Sequence, residues 1–256
     1  MPQSETVTAC LIIIGNEILS GRTQDTNLAH LSVVLNELGV RMTEARVIPD
    51  VEQTIVDTVN HCRARFDYVF TTGGIGPTHD DITADSIARA FGIEVEEHPE
   101  VAALIRKREA PPQVMASRLR MARIPVGATL IENPTGGPPG FQVENVFVMA
   151  GVPMVMQAMA STFDRAKLPG GKPVRSRTVG AFLGESEVAD DLAAIQNDFP
   201  EIDLGSYPFY RASGYGTNLV MRGTDEDQLE AMLVRVSRMI TDRGKIAHPG
   251  GAPAEA

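Results

Sequence analysis

A glycine-rich turn and two adjacent carboxylates occur together in the segment from Thr71 to Thr83, which has the sequence Thr-Thr-Gly-Gly-Ile-Gly-Pro-Thr-His-Asp-Asp-Ile-Thr. Glycines between the end of a strand and the start of a helix leave backbone N–H groups without partners, and the helix dipole adds positive potential there. Such a place favours an anionic group, most naturally a phosphate. We expect the ligand to contact six residues of this loop: Thr72, Gly73, Gly74, Gly76, Pro77 and Thr78.

Asp80 and Asp81 follow the glycines directly. Two carboxylates beside a phosphate repel it unless a divalent cation lies between them. The pair therefore predicts magnesium-type chemistry on a phosphate ester. The alternative is that the glycines only form a tight turn, with Thr83 capping the next helix and Asp85 interacting with its dipole. Residue spacing alone leaves these two interpretations open.

More general motifs do not explain the segment. Gly74-Ile75-Gly76 lacks the third glycine of a dinucleotide-binding fingerprint, and the chain contains no G-x-x-x-x-G-K-[ST] phosphate loop. The sequence has no G-x-S-x-G nucleophile elbow, and its other histidines are too dispersed for metal-ligand spacing. The phosphate interpretation therefore depends on this loop and the elements that position it.

The elements around the segment predict an open, mostly parallel sheet between helices. Four buried strands are expected, each followed by a helix with an apolar face. The strands are Val7–Ile14, Val40–Ile48, Asp67–Thr72 and Val146–Ala150, and the helices lie near 28–38, 51–62, 82–91 and 152–163. This alternation indicates right-handed βαβ crossovers. Ligands of such sheets bind beyond the carboxyl ends of the strands, where the glycine segment must lie.

The best linker candidate is the segment from Lys167 to Pro173, which is rich in glycine and proline. We therefore expect one domain over residues 1–168 and a small α+β unit over residues 174–245, with short strands near Leu204 and Leu219. Residues 246–256 are rich in proline, glycine and alanine, which predicts a disordered tail.

Composition excludes several classes of protein. The 256 residues include 23 Lys and Arg against 33 Asp and Glu, a formal charge of −10, and no basic stripe suits a nucleic-acid backbone. Two cysteines cannot form a disulfide framework or a cysteine-based zinc site, which fits a reducing compartment. Neither a membrane-spanning run nor a signal peptide is visible. We expect a soluble, cytoplasmic protein that binds neither nucleic acid nor membrane.

Motifs spread along the chain resemble one known family. Thr72–Pro77 with Asp81–Thr83 is similar to the signature of the molybdopterin-binding (MoaB/Mog-like) domain. Gly15–Arg22 and Asp25–Asn27 resemble the opening loop of the N-terminal region of competence/damage-inducible protein A (CinA). The further matches are Asn133–Phe141, Gly151–Pro153, Gly184–Glu187 and Gly205–Pro208. The resemblance thus covers nearly the whole chain.

The resemblance implies a three-layer α/β/α domain with a mostly parallel sheet, followed by a small KH-like α+β domain. Members bind molybdopterin or an adenine nucleotide at the glycine loop, and Mog-type relatives act in molybdenum cofactor assembly. CinA-type relatives are metal-dependent pyrophosphatases that cleave ADP-ribose, and one relative forms part of eukaryotic FAD synthase. Because the chain ends before the C-terminal amidohydrolase domain of full-length CinA, we do not expect deamidase activity. Relatives form dimers or trimers, which implies a homo-oligomer.

The resemblance also suggests residue roles. Asp81 matches the aspartate of the glycine motif, Asp50 matches an acidic position after the second strand, and together with Asp80 they are our candidate catalytic residues. Asp50 could instead cap a helix, with Gln53 completing a capping box. Asp81, Asp80 and Glu17 are the candidate ligands of a Mg, Mn or Co ion. The remaining candidate substrate contacts are Glu17, Arg22, Asn27, Asn133, Gly136 and Gly140.

Departures from the family pattern keep two functions open. Asn16 stands where relatives often carry aspartate, and Val155 stands where they carry glutamate; His79 could compensate or be an exposed loop histidine. The first function is metal-dependent hydrolysis of a nucleotide pyrophosphate bond, with ADP-ribose giving AMP. The second is non-catalytic binding of molybdopterin or a nucleotide. Molybdopterin adenylylation is disfavoured by the CinA-like C-terminal similarity, and RNA binding by the lack of a basic G-x-x-G loop.

Overall fold

The structure, a computed structural model, describes residues 6–212 and 214–252. The chain divides into two compact units between Lys172 and Pro173. The division falls at the end of the predicted linker because the residues before it pack into the first unit. Leu168 is fully buried there, and Gly171 N donates a hydrogen bond to Gly39 O at 2.8 Å.

The first unit contains a six-stranded sheet with helices on both faces. The part of this unit that the structure describes has eight strands, six of which form this sheet. They are β1 (Val7–Ile14), β2 (Val40–Ile48), β3 (Tyr68–Thr72), β4 (Val95–Glu97), β5 (Arg123–Pro125), β6 (Thr129–Ile131), β7 (Gly140–Val143) and β8 (Val146–Met149). Its helices are α1 (Asn16–Leu19), α2 (Asn27–Glu37), α3 (Glu52–Arg63), α4 (Thr83–Phe91), α5 (Pro99–Arg106), α6 (Pro112–Leu119) and α7 (Pro153–Ala160). The sheet order is β2-β1-β3-β8-β7-β6, in which the first four strands pair in parallel and β7 pairs antiparallel with both β8 and β6.

Strand β1 lies at the centre of this unit because both of its faces are apolar. Its even-numbered residues from Cys10 to Ile14 pack with α3, α4 and α5, and its odd-numbered residues from Ala9 to Ile13 pack with α2 and α7. A strand buried on both faces is typical of a parallel sheet between two helical layers. The predicted α/β/α architecture is therefore confirmed.

Three short strands have no counterpart in the sequence prediction. β4 and β5 form a separate antiparallel pair, and β7 extends from Gly140 to Val143. β4 and β5 have three residues each, which is too short for a periodic pattern to be recognised.

The second unit is an antiparallel sheet packed against two helices. Its elements are β9 (Arg175–Ala181), α8 (Ala189–Asp198), β10 (Asp203–Arg211), β11 (Gly214–Gly223), α9 (Glu226–Asp242) and β12 (His248–Pro249), with sheet order β10-β11-β9-β12. The strands expected to be short near Leu204 and Leu219 are instead nine and ten residues long. They pair continuously from Asp203 with Arg222 to Arg211 with Gly214.

Part of the predicted disordered tail is ordered in the structure. β12 pairs with β9, and Ala252 N donates a hydrogen bond to Asn218 Oδ1 at 2.8 Å. Gly250 and Gly251 have φ values of 81° and 112°, a backbone conformation that lets the chain turn back onto the sheet. Residues 253–256 of the predicted tail lie outside the described residues. None of the helices in the described ranges is long and apolar enough to cross a membrane.

Candidate functional site

The glycine loop, defined here as Gly73–Pro77, joins β3 to α4 at the carboxyl ends of the parallel strands. Gly73 N donates a hydrogen bond to Met149 O at the end of β8, at 3.3 Å. A Cβ atom on Gly73 would lie 2.1 Å from Ile14 O at the end of β1. The backbone φ of Gly73 is 104°, which is unfavourable for residues other than glycine. The loop therefore starts where three strand ends meet.

The far end of the loop is fixed to the first turn of α4. Thr83 Oγ1 donates a hydrogen bond to Gly73 O, and Thr83 N donates one to Gly74 O, both at 3.0 Å. Thr83 is thus the first residue of α4 and anchors the loop. The alternative in which it caps the helix is wrong, because Ile82 precedes the helix without a side-chain hydrogen bond.

Asp81 is held against the loop by Thr78. Thr78 donates hydrogen bonds to Asp81 Oδ2 from its backbone N at 2.7 Å and from its hydroxyl at 2.5 Å. Asp81 Oδ1 accepts no hydrogen bond from a described residue. The carboxylate lies so close to Gly76 that a Cβ there would be 2.6 Å from Oδ2. One oxygen of Asp81 is therefore fixed and the other is available to a ligand.

A cavity of about 550 Å³, here called the main cavity, opens beside this loop. Among the sequence-predicted residues, it is lined by Glu17, Gly73, Gly74, Gly76, Pro77, Asp81 and Asn133. Most of its other walls come from the loops that follow β6 and β8 and from α7, with single residues from the segment after α1, from the glycine loop and from the turn before β5. These further residues are Thr23, Ile75, Met121, Thr135, Gly137, Pro138, Pro139, Ala150, Gly151, Val152, Pro153, Val155 and Met159. The size suits a small-molecule ligand.

Glu17 and Asp50 have different positions around α1. The Glu17 carboxylate lies over Gly15, where an added Cβ would be 2.6 Å from both of its oxygens, and it lines the main cavity. Asp50 Oδ2 accepts a hydrogen bond from Asn16 N at 2.9 Å. The capping-box prediction for Asp50 is wrong, because α3 begins at Glu52 and is preceded by Val51. Asp50 instead fixes the start of α1 and does not line the main cavity.

Asn133 shapes the loop opposite the glycines. Its Oδ1 accepts hydrogen bonds from Thr135 N at 3.1 Å and from Thr135 Oγ1 at 2.7 Å, while its Nδ2 donates one to Pro138 O at 2.9 Å. Gly136 lies outside the main cavity, and its carbonyl accepts a hydrogen bond from Arg108. Gly140 is buried in β7, where a Cβ would be 2.4 Å from Val148 O. Gly140 thus allows two strands to approach and is not placed at the ligand.

The remaining predicted contacts lie at or beyond the edges of the cavity. Asn27 is buried and its Nδ2 donates a hydrogen bond to Gly151 O at 2.8 Å, which holds a loop that lines the cavity. Thr72 is buried beneath the loop, and its hydroxyl has no hydrogen-bond partner among the described residues. Arg22 is exposed outside the lining, although the neighbouring Thr23 is part of it.

Asp80 is also outside the lining of the main cavity, and its side chain is exposed. The nearby polar groups of Thr78 hold the pKa of the Asp80 carboxyl below its usual value. His79 is exposed as well, with its Nδ1 at 3.9 Å from Asp80 Oδ1. The structure thus separates the two adjacent aspartates: Asp81 faces the cavity and Asp80 lies at the surface.

The side chains that line the main cavity can bind a metal ion only if the ligand supplies further oxygen atoms to it. Within the described ranges, no three His, Cys, Asp or Glu side chains converge on a common point. Two carboxylates, those of Asp81 and Glu17, line the main cavity. Magnesium is usually bound through one or two carboxylates, with phosphate oxygens and waters completing its octahedron. The residues present therefore fit a divalent ion that arrives with a phosphate-containing ligand.

Sequence reasoning missed most of the apolar lining. Val152, Pro153, Val155 and Met159 come from the segment after β8, and Pro138 comes from the loop before β7. The residues after β8 could have been predicted to line the site, because this segment follows the carboxyl end of a parallel strand, as the glycine loop does.

Comparison with known proteins gives independent information on both units. The model of the probable molybdopterin binding domain family matches residues 10–169, and that of the FAD synthase middle domain matches residues 173–247. A protein of Archaeoglobus fulgidus is 31% identical over 234 residues, which are 91% of this chain and 98% of the relative. A CinA-like protein of Citrifermentans bemidjiense is 36% identical over 166 residues, which are 62% of this chain and 40% of the relative.

A solved structure supports the same assignment. It is the protein CinA from Thermoplasma acidophilum, described as having unknown function, with 32% identity and a TM-score of 0.57. The match covers 63% of this chain and 98% of that one. The first family model extends over more than half of the chain and includes the glycine loop, Asn133 and the segment after β8. The chain therefore belongs to the molybdopterin-binding (MoaB/Mog-like) domain family and, within it, to the CinA-like proteins.

Proposed function

We propose that this protein binds a phosphate-containing nucleotide in the main cavity and hydrolyses its pyrophosphate bond in a metal-dependent reaction, with ADP-ribose giving AMP. The observation that carries the proposal is the position of Asp81. Its Oδ2 is fixed by two hydrogen bonds from Thr78 while Oδ1 accepts none from a described residue, directly beside the glycine loop. A carboxylate oriented in this way next to an anion-binding loop suits phosphoryl chemistry.

The two sides of the cavity favour different parts of such a ligand. The glycine loop offers backbone N–H groups near the start of α4, where phosphate oxygens are stabilised. The opposite walls present apolar side chains, including Pro138, Val152 and Val155, against which a flat ring can pack. The match of the second unit to the middle domain of FAD synthase also supports a nucleotide ligand.

A divalent ion held by Asp81 and Glu17 together with the ligand's phosphate oxygens would supply charge neutralisation at the bond that breaks. Thr78 keeps the Asp81 carboxylate in one orientation, so that Oδ1 can accept a proton from the attacking water. The water oxygen forms a bond to one phosphorus as the bond from that phosphorus to the bridging oxygen breaks. The bridging oxygen leaves on the other phosphate, and AMP and ribose phosphate are the products. Positioning and electrostatics provide most of the rate in such a reaction.

A second candidate function is binding without hydrolysis, with molybdopterin or a nucleotide as the ligand. Val155 favours it, because this side chain lines the main cavity at a position where the family pattern has a glutamate. Asn16, at a position where relatives often carry aspartate, likewise supplies no carboxylate. With two carboxylates fewer, the site would bind a metal more weakly while the glycine loop remained intact.

The two candidates are separated by measuring AMP release from ADP-ribose with and without Mg²⁺, Mn²⁺ or Co²⁺, using FAD and NAD as comparison substrates. We expect metal-dependent release that Asp81→Asn lowers by about a hundredfold or more, since the variant loses both a carboxylate that would hold the ion and the group that accepts the proton of the water. Asp80→Asn is the matched control, because Asp80 is exposed outside the cavity, and it should retain most of the activity. Ligand binding without turnover in any metal would exclude the hydrolase and support the binding protein.

The proposal includes a homo-oligomer, a dimer or a trimer. Tyr210 and Tyr215 are cross-strand neighbours on β10 and β11 and are 83% and 59% exposed. Exposed aromatic side chains are enriched at protein interfaces. Light scattering on the purified protein would give the mass, and a monomer at micromolar concentration would contradict this part of the proposal.

A further inference from the structure

A second cavity adjoins the main cavity, and the structure gives it a different chemical character. This arginine cavity, of about 320 Å³, shares six residues with the main cavity: Gly74, Ile75, Gly76, Asp81, Met121 and Pro139. Its own walls include Asp85 from α4 and Arg120 and Arg123 from the segment that leads into β5. Asp81 thus lines both cavities, and a ligand that passes the carboxylate can extend from one into the other.

The two arginines of this cavity differ in their partners. Arg123 Nη2 lies 2.5 Å from Asp85 Oδ1, so its charge is already balanced. Arg120 forms no salt bridge with any residue that the structure describes. It is exposed in a chain with a formal charge of −10. A guanidinium without a carboxylate partner can bind a phosphate through two parallel hydrogen bonds.

The backbone around Arg120 is held by non-local contacts. Arg120 begins a single turn that ends at Ala122, and Ala122 O accepts a hydrogen bond from His98 N at 2.8 Å. The next residue, Arg123, pairs with Glu97 in the β4–β5 ladder. The arginine is therefore presented by an ordered segment, which lowers the conformational entropy lost when it binds a ligand.

We propose that the arginine cavity is the second half of the ligand site and that Arg120 binds the second phosphate of a nucleoside diphosphate compound. The nucleoside lies in the main cavity, its first phosphate contacts the glycine loop, and the bridge between the phosphates passes Asp81. The inference rests on the proposed function only for the identity of the nucleotide. It adds a residue that determines specificity for ligands with two phosphates over those with one.

The test compares the affinities of AMP, ADP and ADP-ribose by calorimetry in a buffer with Mg²⁺, where ADP and ADP-ribose are used as their α,β-methylene analogues, whose carbon bridge prevents hydrolysis. Wild-type protein should bind ADP and ADP-ribose more tightly than AMP. Arg120→Gln should weaken both diphosphates by about tenfold or more, as expected for loss of a charge-assisted contact, and change AMP by less than about threefold. Arg120→Lys, which keeps the charge but not the fork, should recover part of the affinity.

Arg118→Gln is the matched control. Arg118 lies two residues earlier in the chain, and its Nη1 donates a hydrogen bond to Arg108 O away from the arginine cavity. If Arg120→Gln weakens AMP as much as ADP, or if the Arg118 variant has the same effect, the inference is overturned. The same holds if wild-type protein binds neither diphosphate more tightly than AMP.

Failure of this inference about Arg120 can be distinguished from failure of the proposed hydrolysis. Selective loss of diphosphate affinity in Arg120→Gln without AMP release in any metal would support the second half-site and reject the hydrolase. Metal-dependent AMP release with an unchanged KM in Arg120→Gln would support the hydrolase and reject the second half-site.

Discussion

The two facing sides of the main cavity are held in place by different kinds of contact. On the glycine-loop side there is no room for a Cβ atom, because one on Gly73 would overlap the backbone of Ile14 at the end of β1 and one on Gly74 would overlap the Thr83 side chain at the start of α4. On the opposite side, the loop over residues 133–139 is organised by hydrogen bonds of one amide side chain, that of Asn133. The first side is thus part of the packing of the fold, whereas the second can be loosened without disturbing the sheet.

The largest effect is expected for Gly73→Ala. The new Cβ would lie 2.1 Å from Ile14 O at a φ of 104°, so overlap and backbone strain combine. We expect a loss of about 3 kcal/mol in the free energy of unfolding, measured by denaturant titration. Gly92→Ala is the control, because its φ of 67° carries the strain but nothing lies within 4 Å of the added atom. It should lose only about 1 kcal/mol in the free energy of unfolding. Equal losses in the two variants would contradict the conclusion that close packing against β1 fixes the glycine loop.

An intermediate effect is expected for Gly76→Ala, and on a different property. The added Cβ would meet the Asp81 carboxylate, while the backbone of Gly76 is not in the left-handed region. Stability should change by less than about 1 kcal/mol, because the side chain of Asp81 can move aside. AMP release from ADP-ribose should fall by about tenfold or more, because the carboxylate loses its orientation. A stable variant with full activity would show that the position of Asp81 is unimportant.

The smallest effect is expected for Asn133→Ala, which removes the hydrogen bonds that organise the second side. The affinity for ADP-ribose should fall by about threefold to tenfold, since the apolar wall becomes less ordered. Asn145→Ala is the matched control: Asn145 Nδ2 also binds backbone carbonyls, those of Arg63 and Phe66, but outside the cavity. It should lower stability without changing affinity. An affinity loss as large in the control would mean that the loop over residues 133–139 has no special role.

The difference between local and long-range contacts explains which parts of the site could be predicted from the sequence. The glycine loop was accessible because strand, glycines and helix follow one another within 13 residues, and each sequence feature has a local structural meaning. Asp50 was misassigned because its true partner, Asn16 N, is 34 residues away, whereas a local capping pattern was in view. Gly140 was placed at the ligand by resemblance, but its small size serves the contact between β7 and β8.

The two arginines of the arginine cavity could not be predicted from the sequence for a related reason. Arg120 reaches the cavity because the β4–β5 pair brings residues 97 and 123 together, and three-residue strands leave almost no periodic signal. The apolar wall after β8 was accessible in principle, from strand order and the rule for ligand sites in parallel sheets. Fold class and the anion-binding loop therefore followed from local patterns, while the complete shape of the site required long-range contacts.

The contact of Gly73 with the ends of β1 and β8 has a consequence for the rates of binding. A loop held between strand ends is ordered before the ligand arrives, so we expect no ordering step of this loop to precede the encounter. Association with the glycine loop should then proceed at similar speed for all nucleotides of similar charge. Differences in affinity among them would appear as differences in how long each ligand stays bound.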